Sequence, residues 1–304
     1  MAFSVLLSTI LRGKWLIAPR EVEANSVILQ KLLDGSIPGS NKRLSEEEPI
    51  PCMLADASGK MSRSNSRFSD APEGSTAIIP IRGTLIKYGT LCSYGTEEYA
   101  EIIREAANEP NISSIVLDCH SGGGAVDAIA PLVDAIADCK RKNKGCVAAV
   151  DLCASAMYYA ACHCDSIICT NNISSELGSI GVMMSFADYA KYYENMGIKV
   201  HTIYSNLSDY KNAPYEAALK GEYDKIKTEE LDPLARQFQA TVKKRRCNLK
   251  LDTEGILSGR MFYADEAVRV GLADEVGTIQ TAIQRSREIE ATTLIHNYIN
   301  LKTK

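Results

Sequence analysis

The chain has no run of about 20 apolar residues, the length a membrane-spanning helix takes. The apolar stretch from Phe3 to Leu11 is too short, and cations follow it instead of preceding it, so it lacks the layout of a secretory leader. A short amphipathic helix docking on a partner is expected there. Positive charge is not in excess: 34 Lys and Arg face 38 Asp and Glu, a net charge of −4. No nucleic-acid footprint follows from that balance. The one dense basic cluster, Lys243-Lys244-Arg245-Arg246, suits the C-terminal end of a helix. A Gly-x-Ser-x-Gly elbow is missing, which argues against an ordinary esterase. Histidines number only four, at 120, 163, 201 and 296. Cys162-His163-Cys164 has no second Cys/His pair at finger spacing. Three neighbours in sequence cannot converge on one ion from a regular helix or strand, so neither a metal nor another cofactor is expected. Ten cysteines are present, most of them inside apolar runs. There the thiol acts as a small hydrophobe, which points to a reducing compartment and not to a disulfide scaffold.

What is present reads as an α/β chain. A length of 304 residues suits one large domain with an appendage, or two domains, and 45% hydrophobic residues can fill a sizeable core. Residues 1–33 read as a helical segment broken at Pro19. Residues 34–75, rich in Ser, Gly, Pro, Asn and charge, read as a flexible polar linker. Residues 76–290 alternate strand-like and helix-like runs, and 291–304 form a tail. Strands are expected at 77–81, 114–117, 146–150, 166–169 and 199–204, and helices at 97–107, 125–140, 156–162, 186–196 and 223–244. Short strands alternating with helices of that length predict parallel pairing.

Three segments carry chemistry. In Asp151-Leu-Cys-Ala-Ser-Ala-Met-Tyr-Tyr-Ala160, a serine stands among small residues where an apolar strand meets a helix. That is how a hydrolase presents a nucleophile. In Asp118-Cys-His-Ser-Gly-Gly-Gly-Ala125, three glycines follow a buried strand and open a helix, so backbone N–H groups can turn toward one point. A phosphate loop would end in Gly-Lys-Ser/Thr, and Ala125-Val126 stand there instead. An oxyanion hole and a plain tight turn both remain open. A serine also needs a proton acceptor. His163, eight residues on, lies roughly 12 Å along a helix and is out of reach. His120 borders the glycine loop and is one candidate. A lysine kept neutral by desolvation is the other, since Ser/Lys chemistry is established. Lys211, in Ser208-Asp-Tyr-Lys-Asn-Ala-Pro-Tyr215, sits in a loop where a lysine is ordinarily just solvated. Leu177-Gly-Ser-Ile-Gly-Val182 is a small-residue turn whose Ser179 could hold such a lysine in place.

Taken in order, Ser-Gly-Gly-Gly, Ala-Ser-Ala-x-Tyr-Tyr, Gly-Ser-Ile-Gly-Val and Tyr-Lys-Asn resemble the signal peptide peptidase A (protease IV) family of serine peptidases. The closing segments Ser258-Gly-Arg-Met-Phe-Tyr-Ala-Asp-Glu-Ala267 and Gly271-Leu-Ala-Asp-Glu-Val-Gly277 fit the same family. The likeness covers about residues 76–283. Within it, residues 181–205 look most like the phage head-maturation branch of the lambda protein C type. The resemblance implies a Clp protease/crotonase-like spiral of ββα units, here with an N-terminal helical appendage. It implies Ser155 as nucleophile, Lys211 as base and then acid, and Ser179 as the residue orienting the lysine. The N–H groups of Gly123 and Ala156 would form the oxyanion hole, with Gly122, Gly124 and Met157 lining the substrate site. The implied partners are a peptide substrate, other copies in a homo-oligomeric ring with shared sites, and phage scaffold and capsid proteins. The implied setting is the host cytoplasm or prohead. The chain departs from the family pattern in three places. His120-Ser-Gly-Gly-Gly124 replaces Asn-Ser-Pro-Gly-Gly, Met157 replaces a glycine, and the step from Lys211 to Pro214 is short, which makes Lys199 and Lys220 fallback bases. The alternatives are a bacterial peptidase that degrades signal peptides or membrane proteins, a crotonase-like acyl-thioester enzyme, and an inactive shell component.

Overall fold

A computed structural model describes residues 14–17, 48–64, 68–90, 93–186 and 188–302. Its centre is a parallel ladder of β4 (Ser75–Arg82), β5 (Ile112–Ser121) and β7 (Gly145–Ala154). These strands are near-continuous apolar runs because helices cover both of their faces. Alternate residues point to opposite faces, so Ile79, Leu117, Ala148 and Val150 enter one core while Ile78, Val116, Val147 and Ala149 enter another. Helices α1 (Thr96–Asn108) and α2 (Ile129–Arg141) bury their apolar stripes in the first core. Ala282 and Ile283, from the last helix, close the second.

Two successive ββα turns are visible. β4 is followed by the bridge residue Leu85 and then α1; β5 is followed by β6 (Gly123–Ala125) and then α2, and Leu85 bridges Gly124 in parallel. The α/β class and the parallel pairing agree with the sequence.

The far edge of β7 is shared by two strands. β8 (Ser166–Cys169) pairs with Val147 to Val150, and β9 (Glu176–Gly178) pairs with Leu152 to Ala154. Asp151 falls between them and has no partner residue in the β5, β8 or β9 ladder. It is a β-bulge residue, and a bulge bends its strand and re-aims the residues beyond it.

Several expectations change. Of the segment 1–33 read as helical, only 14–17 lie within the described residues, and there Lys14–Ile17 is a strand, β1, between β6 and β10 (Met183–Met184). The apolar stretch 3–11 lies outside the described residues. The supposed linker is ordered fold over 48–64 and 68–75: β2 (Met53–Ala55) and β3 (Met61–Arg63) extend the main sheet beyond β4. Ile50, Cys52, Leu54 and Phe68 are buried in the first core, and that burial outweighs the polar composition around them. The predicted strand 199–204 has no strand pairing. Among the described residues of 186–196 only α4 (Ala190–Asn195) is helical, and α5 (Ala213–Leu219) follows. The expected helix 223–244 is interrupted: a turn at Asp224–Ile226 and a π-helical Lys227–Leu231 precede α6 (Asp232–Arg245), whose first turn holds Pro233. Proline fits the first turn of a helix and not its interior. β11 (Met261–Tyr263), α7 (Ala264–Val270) and β12 (Glu275–Val276) close the sheet. The expected tail 291–304 continues α8 (Ile279–Lys302) as far as it is described. No helix among the described residues is long and apolar enough to cross a membrane.

Candidate active site

Ser155 is the single residue between the end of β7 and the start of α3 (Ala156–Ala161). Its φ is 54° and its ψ −115°, a conformation an L-residue adopts only under constraint, at a cost of about 1–3 kcal/mol. Two backbone bonds impose it. The Ser155 N–H donates to the Gly178 carbonyl at 2.8 Å, and the Ser155 carbonyl accepts from the Tyr159 N–H at 2.9 Å. The residue is 1% exposed, and its Oγ has no hydrogen-bond partner among the described residues. A buried hydroxyl left without a partner costs about 1–3 kcal/mol. Strain and an orphaned hydroxyl thus meet at one residue.

Ser179 stands beside it. Ala154 and Gly178 pair across β7 and β9, so the next residue of each strand is Ser155 and Ser179, at the same level. Ser179 also has a φ of 54°, is largely buried, and donates its N–H to the Arg260 carbonyl at 3.0 Å. Gly178 is obligatory before it: its φ is 126°, and a Cβ there would lie 2.4 Å from the Arg260 carbonyl oxygen.

The glycine loop reaches the same place through β6, which packs on α3. Leu85 grips it: the Leu85 N–H donates to the Gly123 carbonyl at 2.8 Å, and the Ala125 N–H donates to the Leu85 carbonyl at 2.9 Å. A Cβ on Gly124 would sit 2.0 Å from that carbonyl oxygen, so no other residue fits. The Gly123 N–H meets Ser121 Oγ at 3.2 Å, and that hydroxyl donates to the Gly83 carbonyl at 2.6 Å. Ala156, first in α3, has no carbonyl four residues back within its own helix to receive its N–H. Gly122 is buried in the same loop, and Met157 is fully buried in the main core.

The candidate bases lie elsewhere in the isolated chain. Lys211, Lys199 and Lys220 are all exposed, and none reaches Ser155 Oγ. Lys211 sits in a turn closed by its own N–H to the Ser208 carbonyl, just before α5. His120 points to Asp151, with Nδ1 and Oδ2 3.1 Å apart. In the stretch of chain that leads to Lys211, the large apolar side chains Tyr192, Val200, Ile203, Leu207 and Tyr210 are each more than half exposed. Exposed apolar side chains in such number suit a contact face.

Sequence reasoning did not single out Asp151. Its carboxylate accepts from Asn171 Nδ2 at 3.0 Å and Ser174 Oγ at 2.7 Å, and it faces His120. It therefore pins the β8–β9 connection against the bulge that delivers Ser155. Burial pushes this carboxyl up, but the Ser174 hydroxyl, the Asn171 amide and His120 outweigh it and leave it below the usual range. The signal was a charged residue inside an otherwise apolar strand. Of Cys162-His163-Cys164, the first two side chains both meet the Tyr159 carbonyl, Cys162 Sγ at 3.0 Å and His163 Nδ1 at 2.8 Å, and lie 3.8 Å from each other, whereas Cys164 turns to Cys146, Sγ to Sγ 4.0 Å. Burial pushes the Cys52, Cys162 and Cys169 thiols up to about 12.

The family model for peptidase family S49 matches residues 137–293, just over half of the chain, and spans Ser155, Ser179 and Lys211. The chain belongs to peptidase family S49. Among its relatives are capsid assembly protease C of Escherichia phage lambda and head-tail preconnector protein GP5 of Enterobacteria phage P21. The lambda protein is 28% identical over 220 residues, 70% of this chain and 48% of that protein. The P21 protein is 26% identical over 212 residues, 68% and 42%. This S49 chain thus spans about half the length of those phage proteins. A solved membrane-bound stomatin-specific protease with a substrate peptide aligns over 71% of this chain and 80% of that one, at 14% identity and a TM-score of 0.43.

Proposed function

We propose that the chain is a serine endopeptidase in which Ser155 attacks the scissile carbonyl and a lysine, Lys211, serves as base. The observation that carries this is the Ser155 hydroxyl, held at a strained strand–helix junction and left without a partner inside an S49 domain. Uncompensated strain at a nucleophile position is a mark of function. In the first step the lysine amine accepts the Oγ proton while Oγ bonds to the carbonyl carbon. The Ala156 N–H receives the developing oxyanion, joined by the Gly123 N–H once it leaves Ser121 Oγ, each such donor supplying about 3 kcal/mol in other enzymes. The lysine then passes its proton to the departing amine, leaving an acyl group on Ser155. Water, deprotonated by the same lysine, releases it. Ser179, level with Ser155, holds the lysine.

Because Lys211 and Ser155 do not meet within one chain, the base arrives from a neighbouring copy. The exposed apolar side chains between 192 and 210 supply the face that copy covers, which makes the active unit a closed homo-oligomer. The phage relatives support scaffold and capsid proteins as substrates and the prohead as the setting. The acyl-thioester alternative gives no task to a strained serine hydroxyl. The test is incubation of the protein and its Ser155→Ala variant with a candidate phage scaffold protein, read by mass spectrometry. Defined fragments with the wild type alone support the proposal; identical fragments with both overturn it.

A further inference from the structure

β1 is paired along both of its edges. It runs antiparallel to β6, with Trp15 opposite Ala125, Leu16 opposite Gly124 and Ile17 opposite Gly123. It also runs antiparallel to β10, with Lys14 opposite Met184 and Trp15 opposite Met183. Among the described residues only β1 joins these two strands into a sheet. Without it, β6 and β10 would face each other across a gap one strand wide, roughly 9–10 Å. Such a slot takes an extended backbone, because both walls offer unpaired ladder groups.

The slot leads to the catalytic serine. β6 packs on the helix that Ser155 starts, and β10 begins four residues after Ser179. From Ile17, opposite Gly123, the register points the chain toward Gly122 and Ser121. Ser155 itself is 1% exposed. A nucleophile so enclosed meets no substrate until a segment leaves. β1 is weakly held for this: its ladders are two and three residue pairs long, whereas β4 and β5 pair over eight.

We propose that Lys14–Ile17 occupies, in cis, the slot in which a substrate backbone must lie, so that the chain carries its own competitor for the site. The substrate class is then an extended polypeptide segment lying antiparallel to Gly123–Ala125, which enters only as β1 departs. The proposal rests on the peptidase reading of Ser155.

The test uses the full chain and Leu16→Pro. A strand paired on both sides uses every N–H, so proline there breaks a ladder. Trp15 is the only tryptophan, so its emission reports on β1 alone. A shifted Trp15 emission is expected, with faster amide exchange confined to Gly124, the β6 residue whose N–H neither Ser121 nor Leu85 takes, and to 183–184. Labelling of Ser155 by a fluorophosphonate should be at least tenfold faster. Should Leu16→Pro lose protection across the whole sheet, Leu16→Gly replaces it, since glycine keeps the N–H and only loosens the strand. Unchanged exchange at Gly124, or faster exchange there with an unchanged labelling rate, overturns the proposal. No labelling of Ser155 in any variant, with β1 shown to be released, sinks the peptidase reading itself and the proposal with it.

Discussion

Ser155 and Ser179 follow paired residues on two adjacent parallel strands, and each has a φ of 54°. Strands β7 and β9 thus end at one level in the same rare conformation, one serine tied to the Gly178 carbonyl and the other to the Arg260 carbonyl. The sheet holds this pair rigidly, and the remaining partner has to come from outside it.

That strain predicts an inverse relation between stability and activity at 155. Ser155→Gly removes the cost of the positive φ and the orphaned hydroxyl together and should raise stability by about 1 kcal/mol or more while abolishing cleavage. Thermal unfolding beside a cleavage assay checks this; a destabilised Ser155→Gly would mean the hydroxyl has a stabilising partner.

A base supplied by a neighbouring copy predicts complementation. Ser155→Ala and Lys211→Ala should each be inactive alone. Refolded together at equal amounts, they should recover about a quarter of wild-type activity, the statistical share of interfaces with both groups intact. Zero recovery would place the lysine in the same chain as its serine, and a dead Lys199→Ala beside an active Lys211→Ala would reassign the base.

The Asp151 pin predicts a loss of activity larger than the loss of stability. Asp151→Asn keeps the shape but weakens the acceptor for Ser174 and Asn171. It should lower the turnover rate at least tenfold with less than about 1.5 kcal/mol lost, the scale of one hydrogen bond. A variant with wild-type turnover would reduce Asp151 to an ordinary surface contact.

Acid sensitivity arises at Asp274. Burial pushes its carboxyl up, but Arg246, at 2.7 Å, together with the Ile167 N–H and the Ser166 hydroxyl, holds it below the usual range. A folded-state value below the unfolded one contributes stability above the ordinary aspartate range of about 4, and that contribution is lost as pH falls through the folded value. Urea unfolding of the wild type should weaken over that acid window. Asp274→Asn should be less stable at neutral pH and flatter in acid; parallel curves for the two chains would contradict the assignment.

The parts of the fold that were legible are those where sequence pattern and local packing agree. β8 lies where the apolar run 166–169 placed it, and β7 and α3 flank Ser155 as the small residues suggested. The parts that were not legible depend on distant partners. Lys14–Ile17 is a strand only because β6 and β10 supply both neighbours, which no local period reveals. β2 and β3 hide in a Ser- and Gly-rich stretch and are fixed by burial of Cys52, Leu54 and Phe68. Residues 199–204 carry a strand-like pattern but find no sheet among the described residues, leaving Val200 and Ile203 exposed. The place of Ser155 at a strand–helix junction was readable from the small residues around it. A base was not, because no lysine bonds Ser155 Oγ among the described residues.

The most direct test of the central claim is reaction of the assembled wild-type protein with a fluorophosphonate, followed by peptide mapping. The predicted result is one stoichiometric adduct, on Ser155, absent from Ser155→Ala and strongly slowed in Lys211→Ala. An adduct on another serine, or equal labelling of the Ser155→Ala chain, would contradict it.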